Sequence, residues 1–240
     1  MEGPGRSRKW AAWRVSRDTL LRLRYRGDHI AYYRAVMQDT VRKGAARAVD
    51  NPDRKHWRKG GKEQFEYLIK HGLQPNHKLL EIGCGNLRAG YRFIQYLDAD
   101  NYYGTEISPE VLERARETLD REGGAEKRPH LTLVDNMRFE FLADACIDVV
   151  HAHSVFSHSP LSVIEECPRH LPHILRPGGQ FFFTFNRTDG KERNVLREDF
   201  YYRTETLIDL ARRCGLNAEF MHDWEELEQR QSMLRVWPAY

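Results

Sequence analysis

The 240-residue chain is 40% apolar and 30% charged, an ordinary globular composition that excludes a disordered polyelectrolyte. No window approaches about eighteen uninterrupted apolar residues, which excludes a membrane-spanning helix. The net charge of +3 conceals an uneven spread: residues 1–47 hold twelve Lys/Arg against four Asp/Glu, and the remainder 26 against 31. Such a basic arm is a candidate for contact with phosphates, an anionic membrane or an acidic substrate, or for lying against the acidic body itself.

The stretch Lys9 to Arg26 holds Trp10, Trp13, Leu20, Leu21, Leu23 and Tyr25. Arginines fall among the tryptophans on a helical wheel, and Leu21 to Arg26 alternates at the strand period, so helix and strand both stay open. Ile30, Tyr33, Met37 and Val41 recur at helical spacing and predict an amphipathic helix over residues 29–43. Asp50-Asn51-Pro52-Asp53 breaks it. A second helix is predicted from about Lys62 to His71, stopped by Gly72, and Trp57 to Gly61 before it reads as a flexible cover or a linker.

From Lys78 the pattern becomes short apolar runs alternating with helical stretches. Strands are predicted at Lys78–Ile82, Asn101–Ile107, His130–Asp135, Cys146–Ala152, Gln180–Phe185, Asn217–His222 and Ser232–Val236. Helices are predicted at Leu87–Leu97, Pro109–Glu122 (Ser108 as cap, Pro109 at its first position), Leu161–Leu175 and Thr204–Cys214. Pro168 and Pro172 should bend or interrupt the third of these, and Arg176 to Gly179 should form a turn. The alternation predicts an α/β fold, a mostly parallel sheet covered on both faces, with ligands at the carboxyl edge of the strands. The expected division is a basic, partly helical extension over residues 1–61, a possible lid, and a main domain over 62–240. Cys84, Cys146, Cys167 and Cys214 are widely spaced and form no C-x-x-C pair, and the basic start lacks the apolar core of a secretory signal. A cytoplasmic setting is therefore expected.

The strongest signal is Leu79-Leu80-Glu81-Ile82-Gly83-Cys84-Gly85-Asn86-Leu87-Arg88, where a first strand turns into a helix. Gly83 and Gly85 permit the tight turn and leave room for a ligand against the backbone. Glu106 ends the second strand 23 residues after Gly83, a distance at which a carboxylate accepts from both ribose hydroxyls of an adenosine. From the end of the fourth strand onward, His151-Ala-His153-Ser-Val-Phe-Ser-His158 brings three histidines to the same edge. Strand alternation puts His151 and His153 on one side. His158 and His153 are the candidate catalytic groups, with His158 the base or substrate contact in the loop; core and capping roles stay open for all three. No cysteine or carboxylate completes a ligand set with His170 and His173, so no metal is expected.

Glu81 to Gly85, Tyr103-Gly-Thr-Glu106-Ile-Ser-Pro109, Ile147-Asp-Val-Val150 and Leu175-Arg-Pro-Gly-Gly-Gln-Phe181 resemble, in order and spacing, the sequence blocks of class I S-adenosylmethionine-dependent methyltransferases. The resemblance covers Lys78 to Phe185 and, more weakly, the terminal strands. It implies a Rossmann-like seven-stranded sheet, flanked by helices, whose last strand is antiparallel. It also implies S-adenosylmethionine as cofactor and a methyl acceptor, expected to be a small molecule methylated on oxygen, with saccharides among the candidates. By the same resemblance Glu81 reaches the cofactor's amino end, and Gly83, Cys84 and Gly85 give backbone contacts. Glu106 takes the ribose with Ile107 against adenine, and Asp135 accepts from the adenine amino group with Asn136 beside it. His153 and Ser154 face the methionine portion or the substrate.

Arg88 suits the cofactor carboxylate by shape, though a structural role serves equally. The chain departs from the family at Leu87, where a third glycine is usual. It also lacks the Asn/Asp-Pro-Pro-aromatic motif, which within the family argues against methylation of amide or base nitrogen. Two alternatives remain: a catalytically idle RNA- or phosphate-binding protein using the basic arm, and a nicotinamide-dependent dehydrogenase. Arg88 at the third-glycine position of a dinucleotide loop counts against the latter. Oligomeric state is not legible.

Overall fold

The computed structural model describes residues 8–42, 54–227 and 231–239. The expected break at residues 50–53 lies outside them. The described chain begins with three helices, α1 (Arg8–Arg24), α2 (His29–Arg42) and α3 (Arg54–Lys70). Strands and helices then alternate: β1 (Leu79–Ile82), α4 (Gly90–Tyr96), β2 (Tyr102–Glu106), α5 (Pro109–Glu122), β3 (His130–Leu133), β4 (Ile147–Ala152), α6 (Leu161–Ile174) and β5 (Leu175–Arg187). A hairpin of β6 (Arg193–Val195) and β7 (Asp199–Tyr202) precedes α7 (Thr204–Arg213), β8 (Leu216–Phe220), α8 (His222–Glu225) and β9 (Ser232–Pro238).

The main sheet runs β3-β2-β1-β4-β5-β9-β8, and β9 is antiparallel to both neighbours. This is the expected seven-stranded, mostly parallel arrangement with a reversed last strand. All four residues of β1 are buried because the strand sits between β2 and β4 with helices on both faces. Alternation divides the core in two. Leu80, Ile82, Val150, Phe181 and Phe183 pack against α6 and α7, whereas Leu79, Val149 and Phe182 pack with α3, α4 and α5. Ser108 caps α5 by accepting from the Val111 N–H, with Pro109 following, as expected.

Four local expectations are corrected. Trp57 to Gly61 is no flexible cover but lies inside α3, because Trp57 buries and stacks on Tyr91 at 5.5 Å. The predicted helix from Leu87 starts only at Gly90, since Leu87 takes φ +60° and ends any helical continuity there. Pro168 and Pro172 sit within an unbroken α6. Arg176 to Gly179 is a bulge inside β5: Ile147 pairs with Leu175 and Val149 with Gln180.

The β6–β7 hairpin, unannounced by any periodicity, extends the sheet beyond the end of β5, with Asn186 beside Tyr201 and Arg187 beside Tyr202. Helix α1 docks on it through charge. Arg14 reaches Glu198 Oε2 at 2.7 Å and Asp199 Oδ2 at 3.1 Å, and Arg17 reaches Glu198 Oε1 at 2.6 Å. These two arginines of the basic arm therefore lie against the acidic body. Removing the shared carboxylate leaves Arg14 with Asp199 and the largely buried Arg17 with only the Asp39 carboxylate, 3.9 Å away, among the described residues. Glu198→Ala is expected to cost about 3 kcal/mol, read as a fall in the urea midpoint, and to expose α1 to trypsin before the sheet is cut.

Candidate active site

The carboxyl ends of β1, β2 and β4 meet at the turn after β1. Gly83 and Gly85 hold φ of +66° and +57°, which only glycine adopts without strain. A Cβ on Gly83 would also stand 2.5 Å from Val155 Cγ2. Leu87 sits at φ +60°, at a conformational cost of roughly 1 kcal/mol, offset by complete burial of its side chain. On the far side α3 presses against the turn. A Cβ on Gly61 would lie 1.9 Å from the Arg88 carbonyl oxygen, and Trp57 Nε1–H donates to Asn86 Oδ1 at 3.1 Å.

Glu106 ends β2 beside this turn and is 7% exposed. Its Oε2 accepts the Gly85 N–H at 3.2 Å, and its Oε1 accepts those of Ile107 and Ser108 at 2.7 and 3.0 Å. Burial pushes the carboxyl above its ordinary range, opposed by these three backbone donors. Cys84 is buried, and burial with Glu106 and Glu81 nearby raises its thiol well above normal, so it presents backbone rather than a nucleophile. Asp135 and Asn136 follow β3 at the same edge; Asp135 is exposed and takes the Asn136 amide at 2.8 Å.

Arg88 leaves the turn toward β4. Its Nη2 donates to His153 Nδ1 at 2.9 Å, and among the described residues no carboxylate pairs with it. Burial lowers the basicity of the guanidinium, with Glu81 opposing. His153 Nδ1 also lies 3.1 Å from Ser154 Oγ, which is 3.0 Å from Gln231 Oε1. Glu81 is buried below: Tyr102 donates to its Oε2 at 2.5 Å, and His151 Nδ1 is 3.8 Å from its Oε1. His151 itself is 0% exposed and belongs to the interior.

Helix α2 closes the edge from above. Arg34 Nε donates to the Ile107 carbonyl at 2.6 Å, and Nη2 to that of Val134 at 3.2 Å, tying α2 to the ends of β2 and β3. Tyr33 stacks on His158 at 5.3 Å. Burial, then Asp199, Glu198 and Glu106, raise the Tyr33 phenol well above its ordinary value. His158 occupies the short turn Phe156–His158, with Nδ1 2.6 Å from the Glu198 carbonyl oxygen. His29 Nε2 donates to the His158 carbonyl at 2.7 Å. No group of three or more His, Cys, Asp or Glu among the described residues is arranged to hold a metal ion.

A family model described as a methyltransferase domain matches residues 80–181, the segment that carries the glycine turn, Glu106 and the β4 edge. This match supports the class I S-adenosylmethionine-dependent methyltransferase family for that segment of the chain. An uncharacterized methyltransferase of Schizosaccharomyces pombe is 26% identical over 122 residues, 47% of this chain and 41% of that protein. An arsenite methyltransferase of Aquipseudomonas alcaligenes is 27% identical over 170 residues, 68% of this chain and 46% of that protein. The chain thus spans less than half the length of these two relatives. The solved magnesium protoporphyrin IX methyltransferase (ChlM) of Synechocystis PCC 6803, with bound SAM, shares the fold at a TM-score of 0.65 and 13% identity, over 88% of this chain and 97% of that one.

In this methyltransferase fold Gly83, Cys84, Gly85, Glu106 and Ile107 converge on one edge. Arg88, His153 and Ser154 form a second group beside them, and Asp135 and Asn136 lie at the β3 end. Glu81 is below the turn rather than open to it. His158 stands apart, under α2 and the hairpin. The sequence reading missed Tyr33, Arg34, Glu198 and Asp199, whose partners lie 40 or more residues away and leave no spacing to read.

Burial, with the nearby Arg197 adding to it, lowers His29 from 6.5 to about 4, while its bond to the His158 carbonyl opposes. The folded form therefore binds the proton less readily than the unfolded chain. Its stability contribution is complete above the unfolded value and is lost as pH falls from 6.5 toward 4, by up to about 1.4 kcal/mol per pH unit. Urea midpoints at pH 7.5 and 5 should converge in His29→Gln relative to the parent; an identical drop in both would exclude His29 as the titrating group.

Proposed function

We propose that this chain transfers the methyl group of S-adenosylmethionine to a small-molecule acceptor, on oxygen. The observation that carries the reading is the hydrogen bond from the Gly85 N–H to Glu106 Oε2, 3.2 Å long, which puts turn and carboxylate at one place. Gly83 leaves a cradle that any Cβ would fill. Glu106 keeps acceptor capacity for ribose hydroxyls, Ile107 flanks the adenine, and Asp135 with Asn136 receives its amino group. Arg88, buried and paired with no described carboxylate, suits the cofactor's carboxylate, and His153 holds it in place as an acceptor. Glu81 acts from beneath, through the turn or a water.

When bound, S-adenosylmethionine supplies a methyl already activated by its sulfonium. The chain's residues then need to align an acceptor and keep water out. Helix α2, latched by Arg34 onto the Ile107 and Val134 carbonyls, covers the adenosyl end. An idle RNA-binding role is not favoured, since Arg14 and Arg17 of the basic arm are spent on Glu198 and Asp199.

Two substitutions separate the two ends of the ligand. Glu106→Gln should weaken S-adenosylhomocysteine binding by roughly 100-fold, the worth of its charge-assisted ribose bonds, with the melting curve retained; unchanged affinity by calorimetry would remove the ribose assignment. Arg88→Met should weaken S-adenosylhomocysteine by at least about tenfold yet leave 5′-methylthioadenosine, which lacks the amino-acid portion, unaffected. Equal losses for both ligands would take Arg88 away from the carboxylate.

A further inference from the structure

Helix α1 carries its polar groups inward and its aliphatic groups outward. Arg17 and Asp18 are buried, Arg17 on Glu198 Oε1 at 2.6 Å and Asp18 accepting the Tyr32 hydroxyl at 2.5 Å, and Arg14 beside them holds Glu198 and Asp199. These bonds fix the roll of the helix. They leave Ala12, Val15, Ser16, Thr19, Leu20 and Leu23, spaced three and four apart, exposed on the other side. Val15, Leu20 and Leu23 are 54%, 68% and 60% exposed. They are three of the six large apolar side chains exposed among the described residues, so exposure of this kind concentrates on α1 rather than scattering.

The same side is positively charged. Asp18 is the one acid between Arg8 and Arg26, and it faces the body. Arg22, Arg24 and Arg26 are exposed around the C-terminal end of the aliphatic stripe. Arg22 reaches Asp18 at 2.7 Å yet keeps 46% of its side chain open. The outward surface of residues 11–26 therefore offers aliphatic groups and cations with no carboxylate among them. Its complement is a surface both apolar and anionic.

We propose that α1 docks on an anionic lipid bilayer, Val15, Leu20 and Leu23 entering the headgroup–acyl boundary while Arg22, Arg24 and Arg26 pair with lipid phosphates. The inference goes beyond the methyl-transfer reading and does not depend on it. No helix among the described residues is long and apolar enough to cross a membrane, so the contact is with the surface. Single-stranded nucleic acid is a poorer fit, because the exposed groups are aliphatic and bases stack on aromatic rings. A second copy is poorer still. An isologous contact would set the same arginines face to face, and Val15 to Leu23 spans about 12 Å, short for an interface of roughly 800 Å² per partner. A fluid bilayer needs no matching shape and accepts both signals at once.

The test sediments the full chain, without cofactor, on vesicles of phosphatidylcholine alone and of phosphatidylcholine mixed equally with phosphatidylglycerol. The mixed vesicles are expected to bind it at least roughly tenfold more tightly, the difference shrinking as salt is raised. Leu20→Gln with Leu23→Gln, which leaves the charge alone, should weaken binding to the mixed vesicles by at least about tenfold. Arg24→Gln with Arg26→Gln should do the same. All four side chains are exposed, so both double variants should keep the parent's melting curve. No binding, equal binding to both vesicles, or leucine variants that bind as the parent does would overturn the proposal. A parent that prefers an RNA oligonucleotide to the mixed vesicles overturns it in favour of nucleic acid. A dimer in sedimentation equilibrium that the leucine substitutions split overturns it in favour of a second copy.

Discussion

A buried carboxylate organises this molecule. Glu106 would be costly to bury alone, and three backbone N–H groups make it tenable: one from the turn after β1 and two from the start of the segment leading into α5. The bond to Gly85 ties the end of β2 to the end of β1, and Ser108, whose N–H serves Glu106, also caps α5. The same carboxylate thus sets the mutual positions of two strands and a helix. Positive φ at Gly83, Gly85 and Leu87 follows from that demand, since the backbone must curl tightly enough to aim an N–H at Glu106.

Around this point the molecule is closed by two different kinds of contact. On the α3 side the closure is steric, a glycine backbone against a carbonyl with an indole stacked beside it. On the α1 and α2 side it is electrostatic and polar, made of arginines reaching carboxylates and carbonyl oxygens. Steric closure tolerates little change. The polar side depends on pH and on the state of a few ionisable groups, and it is the side on which His158 stands.

Much of the main domain could be read from residues 78 to 185 because its signals are local. The glycines, Glu106, the Ser108 cap and the short apolar runs each act within a few residues of themselves, and the parallel sheet follows from their alternation. Boundaries slipped where tertiary contacts override local preference. Trp57 looked like a loop aromatic, yet Tyr91 and Asn86 draw it into a helix, and two prolines failed to break α6. Helix α1 hid its nature because its arginines face inward to Glu198 and Asp199, so its polar and apolar faces do not separate on a wheel. The histidine cluster was visible as a cluster, but its division into an interior His151, an arginine-holding His153 and a His158 covered by Tyr33 depends on contacts from α2 and the hairpin.

The indole of Trp57 lies flat on Tyr91 and donates its N–H to Asn86, the residue next to Gly85 in the turn. Its emission responds to both the stacking and that hydrogen bond, so any shift of the turn changes its light output. Trp224, by contrast, is sealed in the core and donates to the Gln231 carbonyl. Of the chain's five tryptophans, Trp57 is thus placed to report on the glycine turn, and replacing the others by phenylalanine would isolate its emission for titrations without an attached dye.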